Sequence, residues 1–135
     1  MATRSFTYDE AAYVYPSTWD VPEFTGNAAV SQKFVSFTNR ILKSVSLEPT
    51  VATTSSDVVT LLTVSGTTTT TTTIGTIGSG STALLGPVVV GASNSPPGIA
   101  MLPGDQAYLK KGTDATGKYA GEIEYVFAAG AAFSA

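Results

Sequence analysis

The stretch "DVVTLLTVSGTTTTTTTIGTIG", residues 57–78, decides the fold class. Its first half, Asp57 to Gly66, is Val, Leu and Thr and reads as a buried strand stopped by glycine. Its second half holds seven consecutive threonines, Thr67 to Thr73, and reads as the continuation of that strand or as its hairpin partner. Threonine is β-branched, favours extended backbone, and pairs across a sheet through both methyl and hydroxyl. It also keeps a strand soluble without a charge.

The same reading extends outward along the chain. "RILKSVSLE" alternates, with Ile41, Lys43, Val45 and Leu47 on one parity, and Pro49 stops it. A helix through Phe34, Phe37 and Ile41 is the competing reading, and the Ser and β-branched content favours strand. "STALLGPVVVGA" gives two short apolar runs split by Gly86 and Pro87, and "SNSPPG" is a loop. "AYLKK" puts Ala107 and Leu109 on one face and Tyr108 on the other. "GEIEYVF" sends Glu122 and Glu124 outward and Ile123, Tyr125 and Phe127 inward. Seven or eight short strands separated by Gly, Pro, Asn and Asp predict an all-β chain: an antiparallel β-sandwich, jelly-roll-like, over residues 31–135.

Residues 1–30 read as an extended N-terminal arm. Six of the chain's thirteen aromatics, Phe6, Tyr8, Tyr13, Tyr15, Trp19 and Phe24, fall there, interrupted by Pro16 and Pro22. Large aromatics are the usual anchors of interfaces, so these six are the candidate partner-binding residues. The alternative is that the segment packs along its own domain.

Charge is sparse. Only 13 % of the 135 residues are charged, about half the ~25 % usual in soluble domains. No charged residue occurs in the 47 positions between Asp57 and Asp105. Charges guard exposed strands against unwanted pairing, so their absence suggests faces covered by copies of the same chain. Thr67, Thr69, Thr71 and Thr73 are the candidate oligomer interface. A tolerated low-complexity loop and a glycosylated tract are the other readings of the threonines.

Catalytic chemistry has little to work with. The chain has no Cys and no His, which removes thiol nucleophiles, histidine bases and Cys/His zinc sites. Glu122 and Glu124 share a solvated face. Asp105 and Asp114 read as turn-fixing residues, and neither sits in calcium-loop spacing. "GTIGSG", Gly75 to Gly80, lacks the Lys-Ser/Thr ending of a phosphate loop. No enzyme, cofactor or metal is expected. A net charge of −3 with scattered Lys and Arg argues against nucleic acid, and no apolar run reaches membrane-spanning length. What remains is contact: a structural protein of a symmetric assembly, or a β-sandwich binding glycans through exposed aromatics.

"LPGDQAYLKKGTDATGKYAGEIEYVF", residues 102–127, and "SSDVVTLLTVSG", residues 55–66, resemble the strands and turns of the capsid decoration (cement) proteins of tailed bacteriophages. The resemblance implies a homo-oligomer, a trimer by preference, made in the host cytoplasm. Its place would be the outer surface of the virion head, clamping neighbouring major capsid subunits. Glycan binding by a fibre or tail-associated module is the alternative.

Overall fold

The computed structural model describes residues 17–128. Nine strands follow in order: β1 (Ser17–Thr25), β2 (Phe34–Val35), β3 (Arg40–Val51), β4 (Asp57–Ser65), β5 (Thr68–Ile77), β6 (Leu85–Val89), β7 (Ile99–Met101), β8 (Gln106–Lys110) and β9 (Lys118–Phe127). There is no helix among the described residues.

Every pairing is antiparallel and the pairings are nested. β1 joins β9, β2 joins β8, β3 joins β6 and β7, and β4 joins β5. Sheet 1 runs β1-β9-β3-β6, with β7 also on β3; sheet 2 runs β2-β8-β4-β5. One long hairpin rolled over itself gives this order, which is a jelly roll, with β6 and β7 sharing one strand position.

The core lies between the sheets. Leu42, Val45, Leu47 and Ile123 of sheet 1 face Val59, Leu61, Ala107 and Leu109 of sheet 2, all fully buried. Burying one such Val, Leu or Ile side chain is worth about 1.5–3 kcal/mol. The alternation read for β8 and β9 holds as far as Tyr125, with Tyr108, Glu122 and Glu124 turned away from this core; Phe127, expected inward, is 38 % exposed at the end of β9. In β3 it breaks. A register shift between Leu42 and Ser44 buries both Ile41 and Leu42 and expels Lys43, whose Nζ donates to the Pro97 carbonyl at 3.0 Å. A bulge therefore resolves what strict parity would have forced, a lysine in the core.

The sandwich begins before residue 31. β1 contributes nine residues of the expected arm to sheet 1, paired with β9 from Ser17↔Tyr125 to Thr25↔Lys118. Only residues 1–16 of that arm lie outside the described residues.

Candidate interaction surface

The residues expected to bind a partner separate into two groups. Phe6, Tyr8, Tyr13 and Tyr15 lie outside the described residues. Trp19 and Phe24 are placed in the sandwich itself, not on a free arm. Phe24 is 8 % exposed and meets Tyr119 edge-on at 6.0 Å. Trp19 is half-buried, stacked on Phe34 at 5.3 Å and tilted against Tyr125 at 4.8 Å. The Arg40 guanidinium lies 4.9 Å from the Trp19 ring, 4.8 Å from Tyr125 and 5.2 Å from Phe127. Its buried Nε has no hydrogen-bond partner among the described residues, and the guanidinium is held by the ring faces instead. Pairing with β9, where Trp19 lies opposite Ile123, is what draws Trp19 inward, and no local pattern signals it.

The threonines form β5 and its turn. Ser65 pairs with Thr68, and Gly66 and Thr67 close the hairpin, with Gly66 at φ +61°. Glycine takes that left-handed conformation without a Cβ clash. Thr67 is thus a turn residue, not a strand residue. Beyond it the run splits by parity. Thr70 and Thr72 pair with Thr63 and the fully buried Leu61, so they belong to the inner face. Thr69, Thr71 and Thr73 pair with Val64, Leu62 and Thr60 and belong to the outer face.

β8 extends those outer rows, giving Thr73–Thr60–Lys110, Thr71–Leu62–Tyr108 and Thr69–Val64–Gln106. Val58, 46 % exposed, adds to the same face. Lys33 caps the Tyr108 ring at 5.1 Å. The outer face of sheet 2 is therefore apolar and hydroxylic, and its charges are the lysines Lys33 and Lys110. The outer face of sheet 1 is acidic. Asp20 pairs directly with Glu122, which neighbours Ser46, and Glu124 lies between Thr18 and Ser44. The two broad faces differ in sign.

Between β5 and β7 the sheets part around a cleft of about 560 Å³. Thr63, Thr68, Thr70 and Thr72 form one wall, and Ile99, Met101 and Leu102 the other. Its one acid, Asp105, accepts the Leu102 N–H at 2.9 Å and closes the Leu102–Asp105 turn.

The most polar buried cluster pins loops together. The Asp114 carboxylate accepts the N–H and hydroxyl groups of Thr54 and Ser55 on one oxygen and the N–H groups of Thr116 and Gly117 on the other. The Gly117 N–H, ahead of the Thr54 and Ser55 donors, holds this carboxyl far below the usual carboxylate range, although burial opposes it. Alongside, Asp57 accepts the Tyr119 hydroxyl at 2.6 Å, and Lys111 Nζ lies 3.5 Å from the same oxygen while donating to the Gly117 carbonyl. Burial, then Asp57, pushes the Tyr119 hydroxyl far above its normal range. These groups are satisfied by one another and ended up buried through tertiary contacts 54 to 62 residues apart in sequence. Gly75 lies within β5, and Gly78 and Gly80 form a turn in which Ser81 N–H donates to Gly78.

No family model and no curated protein matches this sequence. Among solved structures, a chain in the structure of the infectious bursal disease virus Gx strain is similar at TM-score 0.50 and 11 % identity, over 84 % of this chain and 32 % of that one. A chain of the Gt strain structure is similar at TM-score 0.42 and 10 % identity, over 87 % and 38 %. The chain spans about a third of the length of these neighbours. At 11 % identity the likeness to the Gx chain is one of fold alone.

Proposed function

We propose that this chain is a structural protein of a virion, which works by contact and carries no catalysis. The observation that carries the reading is the outer face of sheet 2, where Thr69, Thr71, Thr73, Leu62, Val64 and Val58 are presented with no acid among them. A solitary soluble domain guards such a face with mixed charge. The jelly-roll fold shared with a chain of a virus structure supports the same reading.

The finer form is that of a capsid decoration protein of a tailed bacteriophage. Residues 1–16, with Phe6, Tyr8, Tyr13 and Tyr15, anchor the chain to the major capsid protein. The outer threonines pack between copies, in a trimer, on the head surface. Several weak contacts made at once hold such a protein in place by multivalency. The glycan-binding alternative needs exposed Trp or Tyr, and the Trp19 ring is taken up by Phe34, Tyr125 and Arg40.

Cosedimentation with purified heads stripped of accessory proteins tests this reading. Saturable binding by the full chain, lost when residues 1–16 are removed from the otherwise folded domain, is the expected result. Failure to bind any head, with binding to host glycans instead, would overturn it.

A further inference from the structure

A jelly roll leaves four sheet edges open, and in this chain three of them are blunted. β1 carries Asp20, Pro22 and Glu23 and is bulged between Val21 and Phe24. β2 is two residues long. The opposite edge of sheet 1 is broken into β6, which contains Pro87, and the three residues of β7. Short edges, prolines, bulges and charges are the devices that stop a strand from templating another.

β5 has none of these over most of its length. It is the edge strand of sheet 2, ten residues long, without charge or proline. Its one irregularity, a shift between Thr73 and Gly75, leaves Thr68–Thr73 as a regular run. Those six residues are exposed or half-buried on both faces, because the cleft opens beneath them.

We infer that the edge of β5, unpaired among the described residues, pairs antiparallel with β5 of a second copy, joining two four-stranded sheets into one of eight. This rests on the reading of the chain as self-associating and names the contact. The occupant is a second copy because the edge is complementary to itself. With the two-fold axis near the middle of Thr68–Thr73, threonine meets threonine across the whole run, and Thr–Thr pairs are favourable across strands. A chain of net charge −3 also needs a seam without acids to approach its own copy, and this edge supplies one.

The size of the contact sets its strength. Ten residues make an edge about 34 Å long. With a sheet thickness near 10 Å, pairing buries roughly 700 Å² in total, below the ~1,200 Å² of stable complexes. The pair is therefore weak and concentration-dependent in solution. Being two-fold, it is separate from a threefold contact through the outer face, and in an assembly it links one oligomer to the next.

The chain has no cysteine, so single cysteines at Thr68 to Thr73, one at a time, report the contact cleanly. The full chain is oxidised mildly over a range of concentrations and disulfide-linked dimer is measured. Antiparallel pairing sets a residue opposite itself only at the two-fold axis, within disulfide reach, and each step along the strand separates the pair by about 7 Å more. The expected result is cross-linking at one position, or two adjacent ones, lost two residues away on either side. Cross-linking at 69, 71 and 73 but not at 70 and 72 would mean packing through the outer face; the edge inference falls while self-association stands. Absence of cross-linking at every position also overturns the edge inference. If sedimentation then shows a monomer throughout, the proposed homo-oligomer falls with it, whereas head binding is judged by cosedimentation alone.

Discussion

The Tyr119 hydroxyl donates a 2.6 Å hydrogen bond to Asp57 Oδ2 inside the sandwich, although 62 residues separate the two in sequence. Lys111 completes the group, its Nζ 3.5 Å from the same oxygen and 4.1 Å from the Tyr119 ring centroid, with both charged side chains fully buried. The cluster ties the start of β4 to β9 and to the loop after β8.

Removing its members separately ranks them. Tyr119→Phe takes one hydrogen bond from a carboxylate that keeps its lysine, and about 1–3 kcal/mol of stability is lost. Lys111→Met leaves Asp57 buried and uncompensated, at a cost of about 3–5 kcal/mol. Urea unfolding of both variants checks the order; equal or inverted costs would show that Lys111 is not the main partner of Asp57.

Asp114 gives the fold an acid limit. Its folded carboxyl lies below the ~3.9 of an unfolded aspartate, so its contribution is complete above that value and is lost as pH falls below it. Tm should drop on acidification below about pH 4. Asp114→Asn should be less stable at neutral pH and show a shallower acid limb. Tyr119 acts in the opposite direction. Its raised folded value means stability present below about pH 10 and lost above it, and Tyr119→Phe should flatten that alkaline limb.

Trp19 is a packing residue of the β1–β9 seam. Trp19→Ala should cost about 2–4 kcal/mol, toward the lower end for Trp truncation because the ring is half-buried. Arg40 should also lose order, since Trp19 is one of three rings around it. Thermal unfolding measures the first effect. A variant as stable as the parent would place Trp19 outside the fold's energetics.

Gly121 is needed for close approach. A Cβ there would collide with the Ser46 carbonyl and the Leu47 backbone of the neighbouring β3, not with the end of a flexible side chain. Gly121→Ala should cost about 3 kcal/mol or prevent folding. Gly78→Ala meets open space and should change stability by less than about 0.5 kcal/mol.

Thr71→Lys places a charge in the outer face beside Leu62 without touching the core. Monomer stability should stay within about 0.5 kcal/mol of the parent. Self-association, read by sedimentation velocity across concentrations, should fall. Unchanged association would remove the outer face from the contact.

Local pattern was enough to establish the all-β class and the inward set of β8 and of β9 as far as Tyr125. The side-chain period of a strand is two, and alternation such as Ile123, Tyr125 against Glu122, Glu124 exposes it directly. The turns at Gly66 and Asp105 were legible for a similar reason, since glycine and aspartate carry their backbone preference with them. The reach of the sandwich back to Ser17 was not legible, because the aromatic segment has no period of its own and becomes a strand by pairing with β9. The bulge at Lys43, the union of Asp57, Lys111 and Tyr119, and the position of the threonine run at a sheet edge likewise came from long-range pairing. A residue's neighbours along the chain set its backbone preference. Which face or edge it presents depends on the strand laid beside it, and nested pairing brings that strand from tens of residues away.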